Sequence, residues 1–264
     1  MRQLVSRYWG VYTRFLSTCF AAASTYRLHF VLLIIMDQLF YFSMLGSVDF
    51  LYNHVSKIGA WHRSEFMFFI AFILAVDHLH MSFVSESFWE FAFDIRTGRL
   101  DFVLLRPLNT LFSVFARQIR PATLINFVTP WGFLIYYGRQ MQLDLGSWIL
   151  LFPMVLFSLV LLTSIEILVS MLMFWTVEAM GINFLRIQIQ SVSRWPEFIY
   201  RGFANRLFTV VFPILLVGSA PVYVLLDHGR WPWALAAFVA LVVIWALIGV
   251  FWQKGLKAYE SASS

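Results

Sequence analysis

The sequence predicts an all-α integral membrane fold with six transmembrane helices, an amphipathic helix at the N-terminus and another between the second and third spans. Three observations carry this. Of 264 residues, 61% are apolar and 12% charged, against roughly 45–50% and about 25% in soluble domains. The apolar runs are continuous instead of alternating, which favours helices over a barrel. The length holds about six spans of about 20 residues with short loops and little else. A single cysteine, Cys19, excludes an internal disulfide and a cysteine-rich metal site.

Residues 1–27 carry Arg2, Arg7, Arg14 and Arg27 and no acid, with Leu4, Tyr8, Val11, Tyr12 and Phe15 at helical spacing. This is an interfacial helix suited to an anionic leaflet. The apolar run that follows is too long for a signal-peptide core. Spans one and two occupy 28–84, about Leu28–Tyr52 and Glu65–Val84.

Residues 85–107 do not belong inside a bilayer. Glu86, Glu90 and Asp94 fall at steps of four, one acidic stripe, while Phe88, Phe91 and Ile95 form an apolar one, as in an amphipathic surface helix. Gly98 suits the left-handed residue that ends it, and Arg96 and Arg99 oppose the helix dipole. Pro107 moves Arg106 out of helical geometry and suits the first turn of a new helix.

Spans three and four fall within 108–174: a mixed approach with Arg117 and Arg120, then about Pro121–Tyr137 and Trp148–Phe174. Residues 175–264 hold spans five and six. The sixth is about Pro232–Trp252, but the fifth has two readings. Hydropathy selects 207–226, which contains Pro213, Gly218 and Pro221; a span at about 176–195 would instead leave 196–226 as a re-entrant hairpin. In the first reading, 15 of the 19 Lys and Arg lie on one side with both termini, so the positive-inside rule places the termini and residues 85–107 in the cytoplasm.

Intramembrane ionisable groups are functional candidates by default: Asp37, Asp77, His78, His80, Glu166 and Glu178. The plainer reading has them hydrogen-bonded between helices or at a span end. His78 and His80 point about 200° apart on a helix and cannot share a metal. No nucleophile-elbow, zinc-protease or phosphate-loop motif occurs, so phosphate-bond chemistry is not expected here, and the aromatic residues read as packing and interface belts.

The stretch DIRTGRLDFVLLRPLNTLF, residues 94–112, resembles the segment after the second span in membrane (permease) subunits of type 2 ABC transporters. Ile95, Gly98, Leu100, Asp101, Leu104, Arg106, Pro107 and Leu108 match its pattern. Phe174, Trp175 and Thr176 resemble the Phe-Trp-Thr ending the family's fourth run, and Pro196, Pro213 and Pro221 the prolines of its fifth-span region. Arg186, Gln188 and Gln190 depart from the apolar fifth span expected there.

The resemblance implies a non-catalytic permease of an export system in the plasma (inner) membrane. Its partners would be a second permease, identical or related, membrane lipid, and separate ATPase subunits that bind ATP and Mg; no nucleic acid and no cofactor of its own are expected. It also implies that 85–107 is a coupling segment, with Glu86, Glu90 and Asp94 as docking contacts, Phe88 and Phe91 as anchor or membrane contacts, Gly98, Asp101, Arg106 and Pro107 in the same ATPase-coupling set, and Arg96, Arg99 and Arg106 setting the helix against lipid headgroups. The rival reading is a six-span channel, scaffold or small secondary transporter that works without ATP.

Overall fold

A computed structural model describes residues 2–176 and 179–259. Glu178 lies outside the described residues. The described chain is helical, with one isolated bridge, Ile58 to Trp61, and no strand. The helices are α1 (Arg2–Thr25), α2 (Arg27–Tyr52), α3 (Arg63–Phe83), α4 (Ser85–Thr97), α5 (Leu100–Leu104), α6 (Thr110–Phe115), α7 (Pro121–Ile125), α8 (Val128–Gln140), α9 (Leu145–Ser170), α10 (Ala179–Val192), α11 (Gly202–Arg206), α12 (Leu216–Leu226) and α13 (Trp231–Ala258). Among the described residues four segments are long and apolar enough to cross a membrane: α2, α3, α9 with its 3-10 extension to Phe174, and α13 with the turn before it. A fifth exists if 202–211 and 213–226, bent by 78° at Phe212, count as one.

α3 is the central post. Its apolar window is buried almost throughout, while those of α2 and α13 are mostly exposed. A helix that is apolar all round and enclosed by others needs no polar face. Its start is fixed by a capping box in which the Glu65 carboxylate accepts from the His62 amide.

The molecule has two distinct ends. At one, Trp61 rings meet Phe66, Phe69, Phe198 and Tyr223, and Tyr223 meets Trp233. The loop before α9 lies there too: Asp144 caps α9 through the Ser147 amide at 3.0 Å and faces His228. Hydrogen bonds from Ser147, and then His228, hold the Asp144 carboxyl well below the usual carboxylate range. At the other end Phe91, Phe115, Phe174 and Trp252 stack around α4. Such ring pairs contribute about 0.5–1.5 kcal/mol each beyond area burial.

α10 runs from the Phe174 end towards the Trp61 end, where Trp195 meets Phe66. Its polar residues Asn183, Arg186 and Gln190 are buried while Phe184 and Leu185 are exposed, the reverse of a soluble amphipathic helix. Residues 202–226 then leave the Trp61 end and return to it, since the Tyr223 hydroxyl donates to Glu197 at 2.7 Å. α10 thus extends between the two ends, and 202–226 turns back at Phe212 and Pro213.

Two sequence expectations need correction. The third span is not continuous over 121–137: α7 stops at Ile125 and α8 resumes at Val128. The Asn126 side chain there bonds Gln38, Asp37 and the Ile34 carbonyl of α2, which compensates the interrupted ladder. Pro107 also does not open a helix; α6 begins at Thr110, where the Asn109 side chain accepts from the Phe112 amide at 3.1 Å.

The α12–α3 contact is close because Gly218 lacks a side chain. A Cβ there would stand 2.6 Å from Ile73 Cδ1 and 2.8 Å from Phe69 Cε2. Gly218→Val is therefore expected to destabilise the detergent-solubilised protein by about 2 kcal/mol, the usual scale of overpacking. The check is its melting temperature, followed by loss of the monodisperse peak in size-exclusion chromatography; an unchanged value would mean that this packing is looser than described.

Candidate functional site

The segment after the second span and the polar network behind it form the candidate site. α4 ends as the sequence requires: Gly98 takes φ 70°, a backbone region glycine adopts without penalty. Its orientation differs from expectation. Phe88, Phe91 and Asp94 are fully buried, so the acidic stripe does not face outwards as a whole. It turns towards Arg117 and Arg120, which lie beyond α6.

Arg117 pairs with Asp94 and, at 3.4 Å, with Glu90. Arg120 lies 3.9 Å from Glu86 and 3.8 Å from Asp37 of α2. Burial outweighs the guanidiniums of Arg117 and Arg99 and leaves the Asp94 carboxyl above its usual range. The stretch carrying both arginines is held through its backbone amides, Arg120 N donating to the Ser82 carbonyl at 2.8 Å and Gln118 N to the Ser87 side-chain Oγ at 3.1 Å.

The exposed residues of α4 are Phe93, Arg96 and Thr97, flanked by the half-buried Glu86 and Glu90, which also face Arg120 and Arg117. Phe93 is its exposed apolar member, with the Arg99 guanidinium 5.2 Å from the ring centre. Past Gly98, Asp101 faces the Tyr259 phenol, which burial and this carboxylate push up. Phe102, Leu105, Arg106 and Pro107 are exposed. α1 packs on this turn: Arg7 donates to the Pro107 carbonyl at 2.6 Å, and Tyr8 Oη accepts from the Asn109 amide at 2.9 Å.

The intramembrane candidates fall into two bonded clusters. In one, Asp37 accepts from Thr123 Oγ1 at 2.8 Å, while His78 bonds the Thr123 carbonyl at 3.1 Å and receives Trp131 Nε1 at 3.4 Å. That pattern assigns His78 a proton on Nε2 and an accepting Nδ1. The other joins four helices. Glu166 of α9 takes His80 of α3 on one oxygen and Arg186 of α10 on the other, the latter at 3.0 Å. Gln190 donates to Asp77 at 3.2 Å, and Arg194 pairs with Asp77 at 2.8 Å.

The Arg186 guanidinium also lies 4.5 Å from the centre of the Phe88 ring of α4, and His80 stacks on the same ring. A cation held on a ring face away from water adds about 2 kcal/mol. Phe88 is thus neither an exposed anchor nor a lipid contact but the peg that joins α4 to the network.

Sequence reasoning singled out Asp77, His80 and Glu166 as intramembrane candidates but did not pair them with Arg186, Gln190 and Arg194. These stand at i, i+4 and i+8, a single helical stripe that could have been read. Among the described residues no group of His, Cys, Asp and Glu is arranged to hold a metal ion.

Against this geometry stands one family match. The model described as ABC-2 family transporter protein covers residues 28–263, and the chain belongs to that family. Neither the curated proteins nor the solved structures yield a match.

Breaking the Glu166 cluster from one side should be severe. Glu166→Ala leaves Arg186 buried without its carboxylate and is expected to cost about 3–5 kcal/mol, whereas Glu166→Leu with Arg186→Met should recover most of that. Thermal unfolding of the purified variants checks both. Equal losses for the single and double variants would show that the ion pair is not what holds α9 to α10.

Proposed function

We propose that this ABC-2 family protein is the transmembrane subunit of an ATP-driven export system, forming the substrate path with a second permease and driven by separate cytoplasmic ATPase subunits. One observation carries the reading: α4 is fixed from within through Phe88 and Asp94 and presents a narrow exposed edge, Phe93 and Arg96, beside the half-buried Glu86 and Glu90. A docking element must combine these properties. It needs a small exposed contact, and a stiff attachment behind it to carry movement inwards.

In this reading α2, α3, α7 with α8, α9, α10 and α13 are the six spans, 196–226 is re-entrant, and both termini are cytoplasmic. The membrane is the plasma (inner) membrane. ATP and Mg belong to the partner ATPase, and this chain is non-catalytic. Phe93 enters a cleft of the ATPase, and Glu86 and Glu90 supply polar contacts around it. Phe102 and Leu105 meet lipid at the interface, with Arg106 towards headgroups. The second permease packs on the exposed ridge of α2, where Leu28, Leu32, Ile35, Leu39 and Phe42 recur at coiled-coil spacing.

Closure of the ATPase subunits would shift α4 as a unit with Arg117. Through Phe88 the shift reaches Arg186, so α10 moves with it, and α10 leads directly into the hairpin. Packed interfaces of this kind rearrange between discrete states. Among the described residues Asp77, His80, Glu166, Arg186 and Arg194 are engaged in ion pairs within the bundle, which speaks for a structural role and against an ATP-independent, proton-coupled carrier.

The test separates docking from folding. Phe93→Asp should reduce ATPase recovered by co-purification about thirtyfold, the scale of losing an interface hot spot, with an unchanged melting temperature. Phe88→Ala should lower the melting temperature instead. Full recovery of the ATPase with Phe93→Asp would refute the docking assignment. Purification of the wild-type chain alone, from cells expressing an ATPase encoded beside it, would favour the ATP-independent reading.

A further inference from the structure

A sizeable cavity lies away from the candidate site. A groove of about 700 Å³ opens between α9, α13 and the descending limb of the hairpin. Its walls are aliphatic, among them Ile165, Val211, Ala240, Val243 and Leu247, with Trp233 at one end. Thr209 supplies a hydroxyl in this lining, and its Oγ1 is buried without a hydrogen-bond partner. The limb is a short helix passing into a π-helical turn, Leu207–Val211, before the break at Phe212 and Pro213. That break holds the limb away from α13 and creates the concavity.

We propose that this groove binds one acyl chain of an anionic lipid from the surrounding bilayer, with the lipid headgroup on Arg206 and Arg201. Charge and shape together select this occupant. Arg206 stands four residues before Val210, a groove residue, on the limb that forms one wall of the groove. Arg201 and Arg206 are exposed and have no ion-pair partner among the described residues, unlike Arg186 and Arg194 nearby in sequence, which are paired inside the bundle. A guanidinium beside an apolar slot matches a phosphate above a hydrocarbon chain.

The slot is also too apolar for a polar solute: filling it with an aliphatic chain removes those walls from the open bilayer and places no polar ligand atom against them. Phe203, Val210 and Val211, largely exposed on the same limb, place this element among lipid. The site stands independently of whether ATP drives transport.

The test uses the purified full-length chain in nanodiscs that contain a trace of phosphatidylglycerol or phosphatidylcholine with a diazirine at mid-chain. After illumination, labelled peptides should centre on residues 209–213 and 236–247, more strongly with phosphatidylglycerol. Arg201→Gln with Arg206→Gln should lower phosphatidylglycerol labelling there about tenfold and abolish the headgroup preference. Ala240→Trp should fill the slot and remove labelling by both lipids.

Labelling spread evenly over the exposed faces of α2 and α13, or equal for the two headgroups in the native chain, would overturn the proposal. So would a Val243→Cys variant on a Cys19→Ser background that cross-links to another copy, which would assign the groove to a protein contact. The arginine variants change exposed side chains, so they decide the matter even if Ala240→Trp does not fold.

Discussion

A fully buried guanidinium is the constraint from which the rest of the arrangement follows. Arg186 has almost no exposed surface, and an unpaired ion at that depth would cost several kcal/mol even after relaxation. It is satisfied by Glu166 from α9, Asn183 from its own helix and the Phe88 ring from α4. Glu166 in turn requires His80 from α3. Four helices are therefore brought to one point by one side chain, and neither α4 nor α10 can be displaced independently.

In a bilayer this matters more than in water. Lipid tails are as apolar as leucine, so burying apolar surface gives helices little reason to associate. Close packing and polar cross-links remain. The chain uses both: Gly218 lets α12 press on α3, Ser158 Oγ donates to the Val217 carbonyl at 2.7 Å, and Asn126, Gln38 and Thr129 tie α7 and α8 to α2. The aromatic clusters close the two ends, where single polar bonds would compete with water.

The membrane class, α2, α3, α9 and α13 were legible in the sequence because long apolar runs have few alternatives. Gly98 as a helix terminator was legible for a similar reason: one residue type suits one backbone state. The acidic stripe of α4 was not, since periodicity shows that Glu86, Glu90 and Asp94 share a face but not which way it points. Its direction is set by Arg117 and Arg120, whose location depends on the fold of residues 98–120. Arginine counting treated Arg186 and Arg194 as cytoplasmic charge, whereas both are consumed in ion pairs within the bundle. A rule about loop charge fails where the charge is structural.

The same distinction separates the stiff from the yielding parts of the hairpin. Its returning limb, α12, is buried along nearly its whole length and held by Glu197 through Tyr223 and by Ser158. Its descending limb has no buried residue between Gly202 and Val211, and its helix is interrupted by π geometry and then by Pro213. Few apolar contacts and a strained ladder define a region that opens at low cost. If α10 carries movement from α4, rigidity ends where α10 does, and the descending limb is the first element beyond it free to respond. A transport protein needs stiffness between drive and gate and compliance at the gate itself. Under the proposed coupling, the change from stiff to yielding falls between Arg194, whose pairing with Asp77 is the last ion pair before the hairpin, and Thr209, where the groove lining begins.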